Sequence, residues 1–324
     1  MTHAIRFHKT GGPEVLVWEE VNVGKPGAGE ARIRHKAVGL NFVDIYNRSG
    51  VYPLALPSGL GGEGAGVVEE VGPGVTELKA GDRVAYGAAP LGAYAEARLI
   101  PAERLLKLPD SIDDKTAAAM MLKGLTVQYL IRQTYRVKAG DTILLHAAAG
   151  GVGLILSQWA NHLGATVIGT VGSDEKAALA KAHGCAHTIV YSREDFVKRV
   201  DEITGGKKVP VVYDSVGKDT FLKSLDCLAP LGVAALFGQS SGGVEPLNLG
   251  LLAQKGSLYV TRPTLNTYAA KAESLRAMAK ELFEVVSSGA VKINVNQTYP
   301  LKDAAKAHAD LAARKTTGST VLLV

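Results

Sequence analysis

Cysteine is scarce in this chain, and long apolar runs are missing from it. The 324 residues include two cysteines, Cys185 and Cys227, which lie far apart and form no metal-type cluster. A disulfide framework is therefore not expected. No apolar stretch reaches the length of a membrane span, and residues 1–6 lack the apolar core of a signal peptide. We expect a cytoplasmic protein with no membrane partner.

Strong charge of one sign is missing too. The net charge is +5, aromatic residues make up 6% of the chain, and no block of Lys and Arg dominates. Without a basic patch interleaved with aromatic residues, nucleic acid is not the expected partner, although the mild positive charge favours anionic ligands. A hydrophobic share of 47% is ordinary for a globular protein, and 324 residues predict two domains.

The most informative stretch lies near the middle of the chain. Residues 142–146 form an apolar, β-branched run of strand length, and residues 154–160 repeat apolar side chains at helical spacing. The glycine-rich turn between them matches the dinucleotide-binding fingerprint, with Ala147 in place of its first Gly. The order strand, glycine turn, helix gives this motif the context that a lone glycine pattern lacks.

Each glycine of the turn has a physical role in this interpretation. Gly150 and Gly151 let the backbone approach a pyrophosphate, and Gly153 lets the helix pack closely on the strand. The helix N-terminus supplies N–H groups and a positive dipole end. A glycine-rich turn without a ligand is the alternative, and the sequence that follows favours the nucleotide.

The residues that follow the next predicted strand help to distinguish NADPH from NADH as the expected cofactor. Residues 165–171 predict the second strand of the unit, and a cofactor with a free 2′-hydroxyl usually meets Asp or Glu at its end. Here Gly172 and Ser173 follow, and Lys176 comes next in the helix. A hydroxyl and an amine suit a 2′-phosphate, so NADPH is favoured over NADH. Asp174 is the counter-argument, because it could serve a ribose hydroxyl, and a solvated first-turn lysine is the other interpretation of Lys176.

From residue 141 to about 260, strand and helix patterns alternate. Such alternation predicts an α/β domain with a doubly wound parallel sheet. The predicted strands are 142–148, 165–171, 187–191, 209–216 and 233–238, and the predicted helices include 152–163, 174–183, 193–204 and 219–229.

The two ends of the chain have a different pattern. Residues 1–110 break into short strands separated by Gly and Pro turns, which predicts a β-rich, partly open barrel. Residues 113–136 are helical, Ala269–Ser288 predicts a long amphipathic helix, and the tail predicts a helix at 303–314 and a strand at Thr320–Leu323. We expect one domain built from both chain ends, with the nucleotide domain inserted.

Several motifs together carry a resemblance that covers nearly the whole chain. They are Gly39–Pro53, Gly61–Gly66, Lys123–Thr126, Ala147–Gly153, Tyr213–Gly217 and Thr261–Pro263. With them the sequence resembles the medium-chain dehydrogenase/reductase superfamily, and within it the NADPH:quinone oxidoreductases related to ζ-crystallin. The resemblance implies a GroES-like catalytic domain formed by 1–123 and 262–324, a Rossmann domain at 124–261, and an active site in the cleft. It also implies a homodimer, with 250–260 at the sheet edge as the expected contact.

The residue types around the expected site argue against zinc. The zinc alcohol dehydrogenases of the superfamily need Cys, His and Glu around a catalytic ion, and a zinc site normally needs three or four such ligands. In this chain the segment at 37–46 has no Cys, Gly62 rather than His precedes Glu63, and no cysteine occurs before Cys185. We therefore expect no metal and the reduction of a good acceptor, such as a quinone.

By resemblance, four residues belong to the catalytic end of the site. Asn41 and its loop would flank the nicotinamide, and Asp44, Tyr46 and Tyr52 would line the quinone end. An amide and tyrosine hydroxyls can donate hydrogen bonds to a developing phenolate. Packing of the β-rich domain is the alternative role for Tyr46 and Tyr52, and a turn or cap role is the alternative for Asp44. No general acid is assigned.

The expected cofactor residues come from the glycine turn, the strand ends and the resemblance. Lys176 and Arg314 would pair with the 2′-phosphate, the ring of Tyr191 would face the adenine, and 237–240 would reach the nicotinamide by its backbone at the edge where open α/β sheets bind ligands. The full set is Asn41, Tyr129, Gly150, Gly151, Val152, Gly153, Gly172, Ser173, Lys176, Tyr191, Phe237, Gly238, Ser240 and Arg314. His146 and the two cysteines are expected to be ordinary buried residues.

Three functional hypotheses follow. The leading one is NADPH-dependent quinone reduction by hydride transfer without a metal. The second is reduction of an enone or alkenal double bond on the same scaffold, which shares every motif and differs only in pocket shape. The third is a non-enzymatic NADPH- and RNA-binding role, against which the missing basic, aromatic patch argues.

Overall fold

The chain forms two compact units. The computed structural model describes residues 1–88 and 90–324. The first unit comprises Met1–Leu125, Tyr268–Ser287 and Ile293–Val324, and the second comprises Thr126–Thr267 and Ser288–Lys292. These units differ slightly from the predicted domains, since residues 262–267 and 288–292 fall in the second unit. The domain boundaries themselves stay a prediction.

The strands are named in chain order. They are β1 (Thr2–Phe7), β2 (Val17–Val21), β3 (Glu30–Leu40), β4 (Ser58–Gly59), β5 (Gly64–Val71), β6 (Arg83–Tyr86), β7 (Ala97–Pro101), β8 (Leu106–Lys107), β9 (Thr142–Leu145), β10 (Thr166–Val171), β11 (Cys185–Val190), β12 (Val209–Asp214), β13 (Leu228–Leu236), β14 (Tyr259–Thr261), β15 (Val295–Pro300) and β16 (Ser319–Leu323).

The helices are named in the same way. They are α1 (Phe42–Ser49), α2 (Asp114–Tyr129), α3 (Gly151–His162), α4 (Asp174–Ala182), α5 (Phe196–Thr204), α6 (Phe221–Ser224), α7 (Gly250–Gln254), α8 (Leu265–Tyr268), α9 (Ala272–Ser287) and α10 (Ala304–Ala312). Short 3-10 turns lie at Pro13–Val15, Ala102–Arg104, Leu225–Cys227 and Leu301–Asp303, and a π-helical turn at Leu130–Thr134 follows α2.

The second unit contains the predicted parallel sheet. Its strand order is β11-β10-β9-β12-β13-β14, and every neighbouring pair is parallel. The order reverses between β9 and β12, and open sheets of this kind bind ligands at the carboxyl ends of the strands beside such a reversal. The glycine turn after β9 lies at that point. β14 pairs with β13 and extends the sheet by one parallel strand beyond the predicted last strand.

The first unit contains two sheets. A three-stranded antiparallel sheet has the order β2-β1-β4, and a larger sheet has the order β15-β16-β3-β5-β6-β8, with β7 also paired to β3. β16, at the C-terminal end of the chain, pairs antiparallel with β3, so both chain ends contribute to one sheet. Along β3 the buried residues Ala31, Ile33 and His35 alternate with Arg and Lys, as expected for a strand with one buried face.

Each unit has its own apolar core. In the first unit, side chains from both chain ends pack together, with Phe7, Ile33 and Leu322 fully buried. In the second, Leu144, Ile168 and other strand residues pack against the helices beside the sheet. No helix among the described residues combines the length and apolar character needed to cross a membrane.

Several predicted elements have other bounds in the structure. The predicted strand 142–148 ends at Leu145, and the predicted strand 233–238 corresponds to Leu228–Leu236. Helix α1 lies where only a loop with a cap residue was expected. The predicted helix 219–229 ends early, because β13 begins at Leu228 and pairs there with β12. The predicted helix Ala269–Ser288 begins instead at Ala272, after the separate short helix α8.

Candidate functional site

Of the four predicted catalytic residues, Asn41 and Asp44 lie at the start of α1. Asn41 is the residue before the helix, and its backbone N–H donates to Oδ2 of Asp44 at 2.9 Å. Gly50 ends the helix with a φ of 83°, a left-handed conformation that suits glycine. The alternative of Asp44 as a helix-capping residue is confirmed by this hydrogen bond.

Asp44 is also the end of a line of buried side chains. The hydroxyl of Tyr94 donates to Oδ2 of Asp44 at 2.9 Å. Because Tyr94 has one proton, it accepts from Nε2 of His308, 3.1 Å away, and Nδ1 of that ring accepts from Nη1 of Arg48 at 3.1 Å. This assignment requires a neutral imidazole, and burial lowers the pKa of His308 to about 3.

The carboxyl group of Asp44 is fully buried and poorly solvated. Oδ1 has no hydrogen-bond partner among the described residues. Burial raises the pKa of Asp44 to about 7, although hydrogen bonds from Asn41 and Tyr94 act in the opposite direction. Asp44 therefore changes its charge close to neutral pH, inside the part of the protein that the sequence assigned to the acceptor.

Glu63 forms a second buried centre beside Asn41. Oε1 accepts from the backbone N–H of Leu122 at 2.8 Å, and Oε2 accepts from Nδ2 of Asn41 at 2.7 Å and from Nζ of Lys123 at 3.0 Å. A Cβ on Gly39 would overlap the carboxylate of Glu63 and the carbonyl oxygen of Ala118, so only glycine fits there.

Tyr46 and Tyr52 lie together on the same part of the chain. Their rings pack edge to face with centroids 5.2 Å apart, and Tyr46 also packs against Phe42. Tyr46 is buried, whereas Tyr52 is partly exposed. The packing role weighed for these residues and the role at the quinone end both remain predictions.

In the second unit, the glycine turn has the geometry expected of a phosphate-binding loop. Gly150 precedes α3 in an extended conformation and donates its N–H to the carbonyl oxygen of Ala147; Leu154 is the first residue of α3 whose N–H donates back, to Gly150. The N–H groups of Gly151, Val152 and Gly153 have no acceptor within the helix and remain available to an anion. These residues fit a bound dinucleotide.

The turn is also tightly packed. A Cβ on Gly153 would lie 2.5 Å from the carbonyl oxygens of Ala147 and Ala148, which explains why glycine is needed where the helix approaches the strand. Ala147, which replaces the first Gly of the fingerprint, adopts a φ of 54°. This left-handed conformation is the one that glycine adopts without strain.

Ser173 and Lys176, two of the three residues expected at the 2′-phosphate, follow the carboxyl end of β10, and Tyr191, expected to face the adenine, follows the carboxyl end of β11. Ser173 is the N-cap of α4 and accepts from the backbone N–H of Lys176 at 3.4 Å. A Cβ on Gly172 would lie 3.0 Å from the hydroxyl of Tyr191, so the tyrosine lies over the glycine. Ser173, Lys176 and Tyr191 are thereby brought to one edge of the sheet.

The structure pairs Asp174 at this edge with a residue that the sequence analysis did not single out. Nη1 and Nη2 of Arg193 donate to the two carboxylate oxygens of Asp174 at 2.7 and 2.6 Å. The guanidinium lowers the pKa of Asp174, so this carboxyl stays ionised and occupied. Asp174 is the residue that argued for NADH, and here both of its oxygens are already hydrogen-bonded.

The remaining predicted cofactor residues have well-defined positions. The backbone N–H groups of Phe237 and Ser240 donate to Asp214 and Ser215, and Gly238 packs against Ser215. Tyr129 is the buried last residue of α2. Arg314, at a φ of 58°, follows α10 in the first unit and is exposed. Their roles toward a cofactor stay predictions.

His146, Cys185 and Cys227 are buried, as expected from the sequence. His146 lies between Thr170 and Ser224, with each ring nitrogen 2.8 Å from a hydroxyl. Cys185 and Cys227 are free, buried thiols. Among the described residues, 1–88 and 90–324, no three His, Cys, Asp or Glu side chains are grouped so that they could hold a metal ion.

Sequence reasoning assigned no role to several residues of the buried centres, among them Glu63 and Lys123. A signal for both was available. Each is a lone charge in a small-residue or apolar stretch, Glu63 within 61–66 and Lys123 after 117–122, and such residues are almost never buried unless they are paired. Tyr94, which donates to Asp44, and His308, which donates to Tyr94, carry no such signal, because both lie far from Asp44 in sequence.

Comparisons with known proteins bear on the whole chain. Residues 27–110 match the alcohol dehydrogenase GroES-like domain, and residues 151–283 match the zinc-binding dehydrogenase family. A quinone oxidoreductase of Pseudomonas aeruginosa is 59% identical over 324 residues, which is the full length of both chains. The chain belongs to the quinone oxidoreductase family of the medium-chain dehydrogenase/reductase superfamily.

Two further relatives are similar over the whole chain. The crystal structure of Escherichia coli quinone oxidoreductase complexed with NADPH superimposes with a TM-score of 0.98 at 52% identity and covers both chains completely. A 2-haloacrylate reductase of Burkholderia is 51% identical over 330 residues, with coverage of 100% of this chain and 99% of that protein. The resemblance and the fold class expected from the sequence are confirmed.

The buried centre at Glu63 can be compared with the zinc enzymes of the superfamily. Glu63 lies in the part of the chain that matches the alcohol dehydrogenase GroES-like domain, and its Oε2 accepts hydrogen bonds from the amide of Asn41 and the ammonium of Lys123. Both groups are hydrogen-bond donors, and the ammonium repels a second cation. In this family member, a side-chain cation stands next to Glu63.

Proposed function

We propose that this protein catalyses NADPH-dependent reduction of quinones by hydride transfer. The observation that carries the proposal is the full-length similarity to a solved quinone oxidoreductase complexed with NADPH. The open N–H groups at the start of α3 and the groups collected at the ends of β10 and β11 support it. NADPH, when bound, supplies the hydride, and the chain supplies binding, orientation and electrostatic stabilisation.

In the second unit, different residues bind different parts of the dinucleotide. The N–H groups of Gly151, Val152 and Gly153 bind the pyrophosphate together with the positive end of α3. Lys176 and the N-cap Ser173 bind the 2′-phosphate. Since Arg193 donates to both oxygens of Asp174, a ribose hydroxyl would have to share that carboxylate with the guanidinium. This arrangement favours NADPH over NADH.

In the first unit the residues act on the acceptor. Asn41, Asp44, Tyr46 and Tyr52 line the quinone end in this proposal. Hydride addition places negative charge on a quinone oxygen, and donors fixed in a buried site stabilise that charge without reorganising. The hydrogen bonds from Asn41 to Glu63 and from Asn41 to Asp44 fix the start of α1, so these side chains are held in place before the acceptor arrives.

The test is a comparison of cofactors and acceptors with the purified full-length protein. NADPH and NADH oxidation is measured with 1,4-benzoquinone and with 2-chloroacrylate. We expect rapid NADPH oxidation with the quinone and a kcat/KM for NADH that is at least about tenfold lower. Equal use of both cofactors contradicts the 2′-phosphate assignment, and NADPH binding without turnover of either acceptor contradicts the enzymatic proposal.

Reduction of an activated carbon–carbon double bond is the second candidate. The 2-haloacrylate reductase from Burkholderia, with 51% identity across its length, favours it. The same oxyanion-stabilising donors serve an acceptor whose negative charge develops on a conjugated oxygen. A kcat/KM for 2-chloroacrylate above that for the quinone would select this candidate and leave the fold and cofactor unchanged.

We propose that the protein acts as a homodimer in the cytoplasm. β14 is an edge strand of the parallel sheet, and its residues Tyr259 and Val260 are 61% and 38% exposed. Uncovered edges invite pairing, and two copies of β14 can pair about a two-fold axis. The two free thiols, Cys185 and Cys227, support a reducing compartment.

A charge on the edge strand tests the dimer. Tyr259→Lys places a cation where two edges would meet, so we expect the mass measured by sedimentation velocity to fall from that of a dimer to that of a monomer. Leu222→Lys, an exposed apolar residue on α6, is the matched control and keeps the dimer mass. An unchanged mass for Tyr259→Lys would show that the edge of β14 is not the contact.

A further inference from the structure

The buried ion pair of the first unit has a feature that charge balance alone does not explain. Nζ of Lys123 lies 3.0 Å from Oε2 of Glu63, and the exposed fractions of the two side chains are 7% and 0%. Removing an ammonium from water is costly, and a buried pair normally recovers that cost through additional hydrogen bonds. The cost is therefore recovered only where both groups have their full set of hydrogen-bond partners.

In the part of the chain that the structure describes, Glu63 has a full set of partners, whereas Lys123 has not. Both oxygens of Glu63 accept hydrogen bonds, Oε1 from Leu122 and Oε2 from Asn41 and Lys123. An ammonium has three N–H donors and no acceptor. Among the described residues, Lys123 has Glu63 as its one hydrogen-bond partner, so two N–H groups on a side chain more than nine-tenths buried lack a protein acceptor. Buried donors in native proteins are nearly always satisfied, which points to an acceptor that is not part of the chain.

The position of these donors indicates what the acceptor is. Lys123 and Asn41 donate to the same oxygen of Glu63, so the ammonium lies beside the residue that begins α1. Asn41 and Asp44, which contact each other through the cap of α1, belong to the proposed quinone end. A quinone oxygen is an acceptor only, and it can take both a hydrogen bond and the negative charge that follows hydride addition.

We propose that Lys123 is a catalytic residue that donates a charged hydrogen bond to a carbonyl oxygen of the quinone, an inference that rests on the proposed function. The hydride forms a bond to a ring carbon conjugated with the carbonyl that faces Lys123; the C=C electron pair shifts toward that carbonyl, and the carbonyl π pair moves to its oxygen. The ammonium stabilises this oxyanion and then transfers a proton to it, and a proton from water restores the ammonium. The ring carbon that took the hydride then loses a proton, and the second carbonyl oxygen gains one, so one hydride and one proton in total convert the quinone into the aromatic hydroquinone. Glu63 holds the ammonium in place and acts as a positioning residue.

The rival role for Lys123 is to neutralise Glu63 and nothing more. The two roles give opposite results when both charges are removed together. If neutralisation is the whole role, the double variant Lys123→Met/Glu63→Gln restores the activity lost in Lys123→Met. If Lys123 donates to the acceptor, the double variant stays as slow as the single one. The double variant leaves no unpaired buried charge, so we expect it to fold, and its activity decides between the two roles even if Lys123→Met does not fold.

The experiment measures kcat with 1,4-benzoquinone and the Kd for NADPH of the wild type, Lys123→Met, the double variant and Lys107→Met. Lys107 lies in the same unit, is 55% exposed and pairs with Asp82, so it serves as the matched control with unchanged kcat. We expect kcat of both Lys123 variants to fall about 10²- to 10³-fold, while the Kd for NADPH changes by less than about threefold.

A second measurement separates transition-state stabilisation from general damage. In a series of benzoquinones of decreasing electron affinity, the kcat lost in the double variant should grow, because a poorer acceptor relies more on its hydrogen-bond donor. A kcat of the double variant within about threefold of the wild type, or a loss equal for all quinones, overturns the role of Lys123. Failure of the wild type to reduce any quinone overturns the proposed function, and the role of Lys123 with it. The activity of the wild type with quinones therefore distinguishes a failure of the proposed function from a failure of the role of Lys123.

Discussion

The carboxyl group of Asp44 is the last acceptor in a line of buried hydrogen bonds that starts at Arg48. Arg48 donates to His308, His308 to Tyr94, and Tyr94 to Asp44, so each group has one fixed orientation. This order exists because each member has a limited number of protons and lone pairs. The line joins α1 to α10 and fixes the start of α1, where Asn41 and Asp44 lie.

The charge of Asp44 should control turnover near neutral pH. Burial raises the pKa of Asp44 to about 7, so the group is mostly neutral below that pH and mostly anionic above it. A carboxylate near a developing oxyanion opposes it by roughly 1–2 kcal/mol at an effective dielectric constant near 20. We expect kcat with 1,4-benzoquinone to fall several-fold, up to about tenfold, as the pH rises from about 6 to about 8.

The isosteric variant Asp44→Asn checks this assignment. Its side chain is neutral at every pH, and its oxygen can still accept from Asn41 and Tyr94. The variant should keep the higher kcat across the whole range, measured as a pH profile at saturating NADPH. If its profile still bends near pH 7, another group causes the dependence.

Arg193 should decide how strongly the enzyme prefers NADPH. Arg193→Gln removes a cation from the edge that carries Lys176 and frees Asp174 to accept a ribose hydroxyl. Both changes favour NADH. The ratio of kcat/KM for NADPH to that for NADH should therefore fall by about tenfold or more, measured by steady-state kinetics with one quinone.

Two further variants separate the causes. Arg199→Gln removes another partly exposed arginine of the second unit, on α5, and should leave the ratio unchanged. Arg193→Gln/Asp174→Asn should lose the gain with NADH while it keeps the loss with NADPH. An unaltered ratio in Arg193→Gln would mean that the pair with Asp174 does not affect cofactor choice.

At the scale of elements, the approach of α3 to its preceding turn depends on one glycine. A Cβ on Gly153 would lie 2.5 Å from two carbonyl oxygens of the turn. Gly153→Ala must push the helix outward, and overpacking of this kind typically costs about 1–3 kcal/mol. We expect a lower thermal unfolding midpoint and weaker NADPH binding, measured by calorimetry.

A glycine in open space gives the control for that variant. A Cβ on Gly243 meets no atom within 4 Å, so Gly243→Ala should leave both quantities unchanged. If Gly153→Ala is as stable as the wild type and binds NADPH equally well, the turn can relax, and close packing is not the reason for the glycine.

Helices and strands could be predicted from the sequence where the pattern of residues within one short segment determines the structure. The glycine turn, α3 and the strands of the parallel sheet follow from apolar runs and turn residues. Helix α1 was missed, although Asn41, Asp44 and Gly50 form a start and stop signal for a helix. The extra strand β14 has three residues, which is too short for any periodicity to show.

For the whole molecule, buried histidines should make the fold sensitive to acid. Burial lowers the pKa of His35 and of His308 to about 3 and also lowers the pKa of His146. Between about pH 3 and the ordinary value of 6.5, the unfolded chain binds more protons at these sites than the folded one. Each of these two sites then removes up to about 1.4 kcal/mol of stability per pH unit as the pH falls.

Asp44 has the opposite sign. Its folded pKa lies above its ordinary value of 3.8, so its contribution is present at low pH and is lost as the pH rises toward about 7. The three histidines together change the free energy of unfolding with pH more than Asp44 does. We expect the urea midpoint of unfolding to fall steadily as the pH is lowered from about 6.5 to about 4.

A variant at one of these histidines tests the cause. His308→Gln should be less stable than the wild type at neutral pH, but its midpoint should fall less steeply on acidification. The exposed His187 gives the control, because His187→Gln should keep the slope of the wild type. A slope in His308→Gln equal to that of the wild type would show that His308 does not cause the acid sensitivity.

Local sequence determined the fold class, the family and the edge of the second unit at which a cofactor is expected. These depend on glycine spacing, strand periodicity and residue types that act within about 40 neighbouring positions, as in a strand–turn–helix unit. Only the tertiary structure decided the pairing of Asp44 with Tyr94, of Glu63 with Lys123, and of Asp174 with Arg193. The two residues of each pair are 19 to 60 positions apart in sequence, and a single sequence has no signal for which polar side chain meets which. For the buried groups, burial then decides the chemistry, because the cost of a charge away from water depends on every neighbour at once.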